Sequence, residues 1–260
     1  MPVADDAPAV DIERTDTDAE TGDLPVNELF QSLQGEGRLA GVPSVFVRTS
    51  GCNLRCWFCD SYHTSWEPTH DWFAVDDVVA AIEEYDADHV VLTGGEPLIH
   101  DASADLLERL ADRGYHTTVE TNGTVVPDAP IDLASVSPKL ASSTPTADRD
   151  PDGDGEWADR HEQRRLDLDA LAELVETYDT QLKFVVTGRA DMAEIERHVE
   201  RLRDAASARV HDDDVLLMPE GQTRDQLEAT RAEVADLALE YGYRYTPRLH
   251  VDLWNDAPGT

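Results

Sequence analysis

Cysteine is almost missing from this sequence: three residues in 260, at positions 52, 56 and 59. With every thiol inside one short window, a disulfide framework is excluded, and an intracellular metal or cluster site becomes the leading reading. Basic residues are scarce as well. Lysine plus arginine number 21 against 55 acidic residues, a formal charge of −34, which argues against a broad phosphate-binding face and so against direct nucleic-acid contact. No apolar run reaches the roughly 18 residues of a transmembrane helix. Nor does a basic segment followed by an apolar stretch open the chain. The expectation is a soluble, cytoplasmic protein with no membrane partner.

The acidic residues are spread through helices and loops instead of forming a tail. That pattern resembles the proteins of extreme halophiles, whose carboxylate surfaces stay hydrated and are screened in concentrated salt, so folding is expected to be marginal in dilute buffer. Residues 1–22 are rich in Asp, Ala, Thr and Pro and poor in large apolar groups, which predicts a disordered leader. From 23 to 260, buried-strand patterns alternate with amphipathic helical ones, the mark of βα units around a mostly parallel sheet. Strands are expected at 44–49, 89–93, 115–121, 133–137, 181–187 and 215–218, with a further edge strand near 243–250. Helices are expected at 75–85, 102–113, 168–178, 192–205 and 224–241. Between 141 and 165 lies a polar insert without strong period. Its Asp-rich run lacks the glutamate and flanking helices of a calcium loop, which leaves a solvated loop as the reading.

Gly51-Cys52-Asn53-Leu54-Arg55-Cys56-Trp57-Phe58-Cys59-Asp60 follows a strand directly. Three thiolates are the informative count, because structural zinc usually takes four protein ligands and an electron-transfer 4Fe–4S cluster takes four cysteines. A three-cysteine site leaves one iron open to chelate a cofactor. A zinc site completed by His63 is the competing reading. One βα unit later comes Leu92-Thr93-Gly94-Gly95-Glu96-Pro97. Two glycines let backbone approach a ligand closely, and Glu96 can accept from a ligand ammonium group. Strand ends are where ligands gather in α/β folds.

The spacing of Cys52, Cys56 and Cys59, with the Gly-Gly-Glu segment after it, resembles the radical S-adenosylmethionine (SAM) superfamily. The resemblance implies a partial (β/α) barrel with helices outside. It also implies a 4Fe–4S cluster on the three cysteines whose open iron binds SAM, with reductive cleavage giving a 5′-deoxyadenosyl radical. Further motifs narrow it: Ser32-Leu33-Gln34-Gly35-Glu36-Gly37, Phe46-Val47-Arg48, Glu120-Thr121-Asn122-Gly123, Ser137-Pro138-Lys139, Gln181-Leu182-Lys183, Met218-Pro219-Glu220-Gly221 and Arg248-Leu249-His250. From residue 27 to the end the chain resembles the 7-carboxy-7-deazaguanine synthase family.

That family converts 6-carboxy-5,6,7,8-tetrahydropterin to 7-carboxy-7-deazaguanine with loss of ammonia, supplying 7-deazaguanine bases of tRNA. By position the resemblance implies that Leu33, Gln34, Gly35, Arg48 and Thr93 bind the pterin, Arg48 through a bidentate fork to its carboxylate. Phe58, Cys59 and Asp60 would border the adenosine of SAM. Gly95, Glu96, Ser137, Pro138, Lys139 and Gln181 would complete the SAM site. Magnesium would lie beside the substrate on Ser61, where threonine is the residue expected. Serine keeps the hard oxygen and loses the methyl that restricts its rotamer, so a looser magnesium site follows. An electron donor such as flavodoxin or ferredoxin is implied, and a homodimer is left open. Two rivals stand beside this reading: a glycyl-radical-enzyme activase, which shares both cofactor motifs, and a non-catalytic zinc-stabilised module.

Overall fold

The structure, a computed structural model, describes residues 22–151, 153, 155–255, 257 and 259. The expected leader lies outside the described residues apart from Gly22. Nine strands form one sheet: β1 (Leu24–Leu33), β2 (Pro43–Thr49), β3 (Asp71–Phe73), β4 (His89–Gly94), β5 (His116–Thr121), β6 (Leu133–Val136), β7 (Thr180–Val186), β8 (Val215–Pro219) and β9 (Arg244–Tyr245). Their order is β3-β1-β2-β4-β5-β6-β7-β8-β9. From β2 to β9 every pairing is parallel, while β1 runs antiparallel to β2 and β3. The sheet is an open, partial barrel of the expected type.

Helices are α1 (Tyr62–Ser65), α2 (Val75–Ile82), α3 (Ala102–Asp112), α4 (Ala158–Arg164), α5 (Leu168–Thr177), α6 (Met192–Ala205), α7 (Arg224–Tyr241) and α8 (Leu249–Trp254). Local chemistry sets their ends. The Asp167 carboxylate accepts from Ala170 N–H to start α5, and Thr223 with Gln226 forms a reciprocal capping box on α7, which stops at Gly242 in the left-handed region, φ 73°.

Strand parity decides what faces the core and what faces the interior. In β2, Val45 and Val47 join the outer core with α2 and α3, whereas Ser44, Phe46 and Arg48 point inward. In β7, Leu182, Phe184 and Val186 pack outward against α5 and α6, and Gln181 and Lys183 point inward. Alternation by two residues thus gives an apolar outside under the helices and a polar inside. In β1 the register shifts between Val26 and Glu28; this bulge turns Glu28 and Phe30 inward, opposite Arg48 and Phe46.

The barrel is bridged at its lower end by chain, not by strand pairing. Residues 34–40 cross beneath it, with Gly37 N–H donating to Thr246 Oγ1 (2.7 Å) and Arg38 N–H to Gln181 Oε1 (2.8 Å). The Arg38 guanidinium reaches Asp179 (2.8 Å) and Asp214 (2.5 Å) at the starts of β7 and β8.

Two expectations need correction. The edge strand near 243–250 is only Arg244–Tyr245; the chain turns into α8, where Leu249 N–H donates to Gly35 O (2.8 Å). The 141–165 insert is a solvated loop only in its Asp-rich middle, where residues 146–149, 151 and 153 are exposed. It contains a 3-10 turn and α4, and packs under the cysteine loop, with Trp57 Nε1 donating to Ser142 O (2.7 Å) and His161 fully buried. Finally, β1, β3, α1 and α4 are elements that periodicity did not reveal.

Candidate active site

The upper ends of the parallel strands open on one cleft of about 690 Å3. Its rim on one side is the cysteine loop that leaves β2. Gly51 N–H donates to Thr64 O (2.7 Å), while Gly95 N–H and Glu96 N–H donate to Thr49 O (3.1 Å) and Gly51 O (2.9 Å). The cysteine loop and the Gly-Gly-Glu loop are therefore stitched together. A Cβ on Gly95 would lie 2.2 Å from Gly51 O and 2.9 Å from Cys52 Cβ, so only glycine permits the approach.

The three sulfurs line the cleft. Burial pushes the Cys52 and Cys56 thiols up to about 12 and raises Cys59 too. Leu54 N–H donates to Cys52 Sγ (3.4 Å) and Ser65 Oγ to Cys59 Sγ (3.2 Å), contacts that favour thiolate once iron binds. Among the described residues no three His, Cys, Asp or Glu side chains group as a single ion requires, and His63 is exposed. The donor set suits a polynuclear cluster with an open iron, not zinc.

Opposite the cysteines, charges alternate. Lys183, 3 % exposed, lies between Glu36 (2.5 Å) and Glu120 (2.7 Å). Arg248 reaches Glu36 (3.0 Å), Gly221 O (2.6 Å) and Asp60. Burial alone would raise the Glu36 carboxyl, but Lys183 and Arg248 override it and hold that carboxyl well below the usual range. The same contest, burial against Arg248, leaves Asp60 lowered. Burial would depress the Lys183 ammonium; Glu120 and Glu36 hold it above its ordinary value. Arg48, next to last in β2, has its Nε 2.9 Å from Glu28 Oε2 and its Nη1 donating to Ser61 Oγ (2.8 Å). The Nε contact is an ion pair without hydrogen-bond geometry.

Of the residues singled out in the sequence, Leu33, Gln34, Gly35, Arg48, Cys52, Cys56, Phe58, Cys59, Asp60, Ser61, Thr93, Gly95, Ser137 and Lys139 all line this cleft. Glu96, Pro138 and Gln181 do not. The Glu96 carboxylate is fully buried and turned into the protein. It accepts from Thr121 Oγ1 (2.8 Å), Leu98 N–H (3.2 Å) and Asn122 N–H (2.6 Å), so it ties the turn after β4 to the end of β5. Gln181 is occupied by Arg38 N–H and Ser135 Oγ (2.8 Å each) beneath the floor.

Residues 46–142 match the family model described as the radical SAM superfamily. Over 253 residues the chain is 68 % identical to the 7-carboxy-7-deazaguanine synthase of Halobacterium salinarum, covering 95 % of this chain and 98 % of that protein. The chain belongs to the 7-carboxy-7-deazaguanine synthase family. A second synthase, from Rhodopirellula baltica, is 42 % identical over 246 residues and covers 94 % of this chain. The crystal structure of QueE from Escherichia coli superposes with a TM-score of 0.59 at 25 % identity, over 88 % of this chain and 95 % of that one. Membership of this family makes the chain a radical SAM enzyme that uses a 4Fe–4S cluster and SAM. The zinc-module and activase readings fall with it.

Sequence reasoning assigned no role to five residues that this synthase gathers in the cleft: Glu36, Glu120, Lys183, Arg248 and His250. All five stand inside motifs that carried the family resemblance. Half-buried His250, its imidazole pKa lowered by desolvation, lies so close to Gly35 that a Cβ there would fall 1.9 Å from its Nδ1.

Proposed function

We propose that the cleft binds 6-carboxy-5,6,7,8-tetrahydropterin and that the chain converts it to 7-carboxy-7-deazaguanine with loss of ammonia, feeding 7-deazaguanine bases of tRNA. The carrying observation is the place of Arg48: it is next to last in the strand that leads into the cysteine loop, is turned inward by strand parity, and is held by Glu28 and Ser61. With Nε against Glu28 and Nη1 on Ser61, the Nη2 edge of the guanidinium is left to receive a substrate carboxylate, and a two-donor fork would form as Nη1 exchanges Ser61 for it.

A cluster held by Cys52, Cys56 and Cys59, with SAM beside it, would supply the radical chemistry for hydrogen abstraction. The chain's own groups do the rest. Leu33, Gln34 and Gly35 present the floor to the pterin, and Thr93 touches its ring. Lys183 holds a proton at Nζ between Glu36 and Glu120, within the same cleft. Phe58, Cys59, Asp60, Gly95, Ser137 and Lys139 border SAM. Asp60 and Ser61 offer hard oxygens to magnesium, which takes one or two carboxylates and fills its shell with water and substrate. A reduced flavodoxin or ferredoxin would deliver the electron.

Arg48→Lys keeps the charge and loses the fork, and a misplacement of about 1 Å costs on the order of a hundredfold in rate. The expected result is normal iron content and SAM binding, slow conversion of the carboxypterin, and less product per 5′-deoxyadenosine released. Wild-type turnover and coupling in Arg48→Ala would remove Arg48 from the substrate site.

A further inference from the structure

Most ion-paired arginines here, Arg38, Arg165 and Arg248 among them, close on carboxylates, as expected in so acidic a chain. Arg55 is held differently. It sits between Cys52 and Cys56, and its Nη1 donates to Cys52 O (2.7 Å) and Leu54 O (2.8 Å). Its guanidinium lies over the Trp157 ring, 4.4 Å from the centroid, with Arg160 over the same ring at 4.6 Å, and among the described residues no carboxylate pairs with Arg55. An indole fixes a guanidinium by stacking and cation–π attraction without neutralising it.

Trp157 belongs to the 141–165 segment, which is fastened to the cysteine loop at several points. Trp57 N–H donates to Ser143 O (3.2 Å) and Trp57 Nε1 to Ser142 O (2.7 Å). Arg55 N–H donates to His161 Nδ1 (3.2 Å), which places the imidazole proton on Nε2, toward Ser143 Oγ (2.9 Å). Ser143 in turn donates to Leu140 O (2.6 Å), and its hydroxyl also lies against Cys56.

Adding an electron to a cluster inside a chain of charge −34 is opposed by that charge. Net charge around an iron–sulfur cluster is among the factors that set its potential. We propose that the 141–165 segment, through Trp157, positions the un-neutralised Arg55 guanidinium against the cysteine loop and thereby raises the reduction potential of the cluster. Arg55 is a positioning residue, and the inference rests on the reading that the three cysteines hold that cluster.

The test is a reductive titration followed by electron paramagnetic resonance, on full-length protein reconstituted anaerobically with iron and sulfide in multimolar potassium chloride. Arg55→Gln and Trp157→Ala are each expected to disfavour the reduced cluster about tenfold, a midpoint about 59 mV lower for one electron. Trp157→Phe, which keeps a ring under the guanidinium, is expected to stay near wild type. Unchanged midpoints in Arg55→Gln and Trp157→Ala at full iron content would overturn the inference. So would failure of both variants to take up iron, since the contact would then be only structural. Wild-type protein without an iron–sulfur signal would instead sink the underlying cluster reading, so the two failures are distinguishable.

Discussion

Lys183 is a buried cation held between two carboxylates of the cleft. It is the cation shared by Glu36 and Glu120, which lie 147 and 63 positions away in sequence. Removing one partner of a buried charge cluster leaves the others uncompensated, which costs about 3–5 kcal/mol. Lys183→Met should therefore lower unfolding stability by that order, read from denaturant curves in high salt. A loss below about 1 kcal/mol would show that the carboxylates find solvent or protons instead. Gly95 matters for the opposite reason, having nothing to contribute but space: a methyl there would meet Gly51 O at 2.2 Å. Parity does comparable work at Arg48. Its neighbours Val45 and Val47 lie in the outer core, so the side chain has only the cleft to enter.

Between elements, His89 is a pin through three strands. From β4 its Nδ1 meets Ser44 Oγ on β2 (2.7 Å) and its Nε2 meets Thr118 Oγ1 on β5 (2.8 Å). Burial, with His116 adding repulsion, pushes its pKa down to about 4, and burial puts His161 at about 4 as well. Unfolded histidine titrates near 6.5. Between these values the unfolded chain takes up protons that the native histidines refuse, so this stability is complete above pH 6.5 and is lost as pH falls toward 4. At fixed salt, the melting temperature should drop between pH 7 and pH 5, and His89→Gln should show a shallower drop. An identical drop in that variant would assign the effect to other groups.

The same elements show what sequence can disclose. Parallel strands and the five long helices were legible because each buries one face, which leaves a period of two or of about 3.6. β1 was hidden by its bulge, which breaks alternation at Asn27, and by Glu28, Gln31 and Ser32 along it. The 141–165 segment was misread outside its Asp-rich middle because its anchors are backbone carbonyls and one buried histidine, which leave no period. In the site, the cysteines and the Gly-Gly-Glu turn declared themselves through local spacing. The Glu36–Lys183–Glu120 and Arg248–Asp60 pairs did not, because only sheet closure brings such distant positions together. For Glu96 the motif gave residue order but not the direction of its side chain.

For the molecule as a whole, charge is the dominant quantity. At −34 the surface carboxylates repel one another, and the Debye length falls from about 10 Å at 0.1 M salt to about 3 Å at 1 M. The melting temperature should therefore rise between dilute buffer and multimolar potassium chloride; an unchanged midpoint would contradict self-repulsion as a limit on stability. Among the described residues no helix is long and apolar enough to cross a membrane. What the sheet, its bridged floor and the cysteine rim make together is one cleft lined by Arg48 and the three cysteines, proposed above to take the carboxypterin. Mass spectrometry of products tests this most directly, using anaerobically reconstituted protein with SAM, magnesium, a one-electron reductant and 6-carboxy-5,6,7,8-tetrahydropterin in concentrated salt. The account predicts 7-carboxy-7-deazaguanine, dependent on SAM and abolished by Cys56→Ala; SAM cleavage with the pterin left unchanged would contradict it.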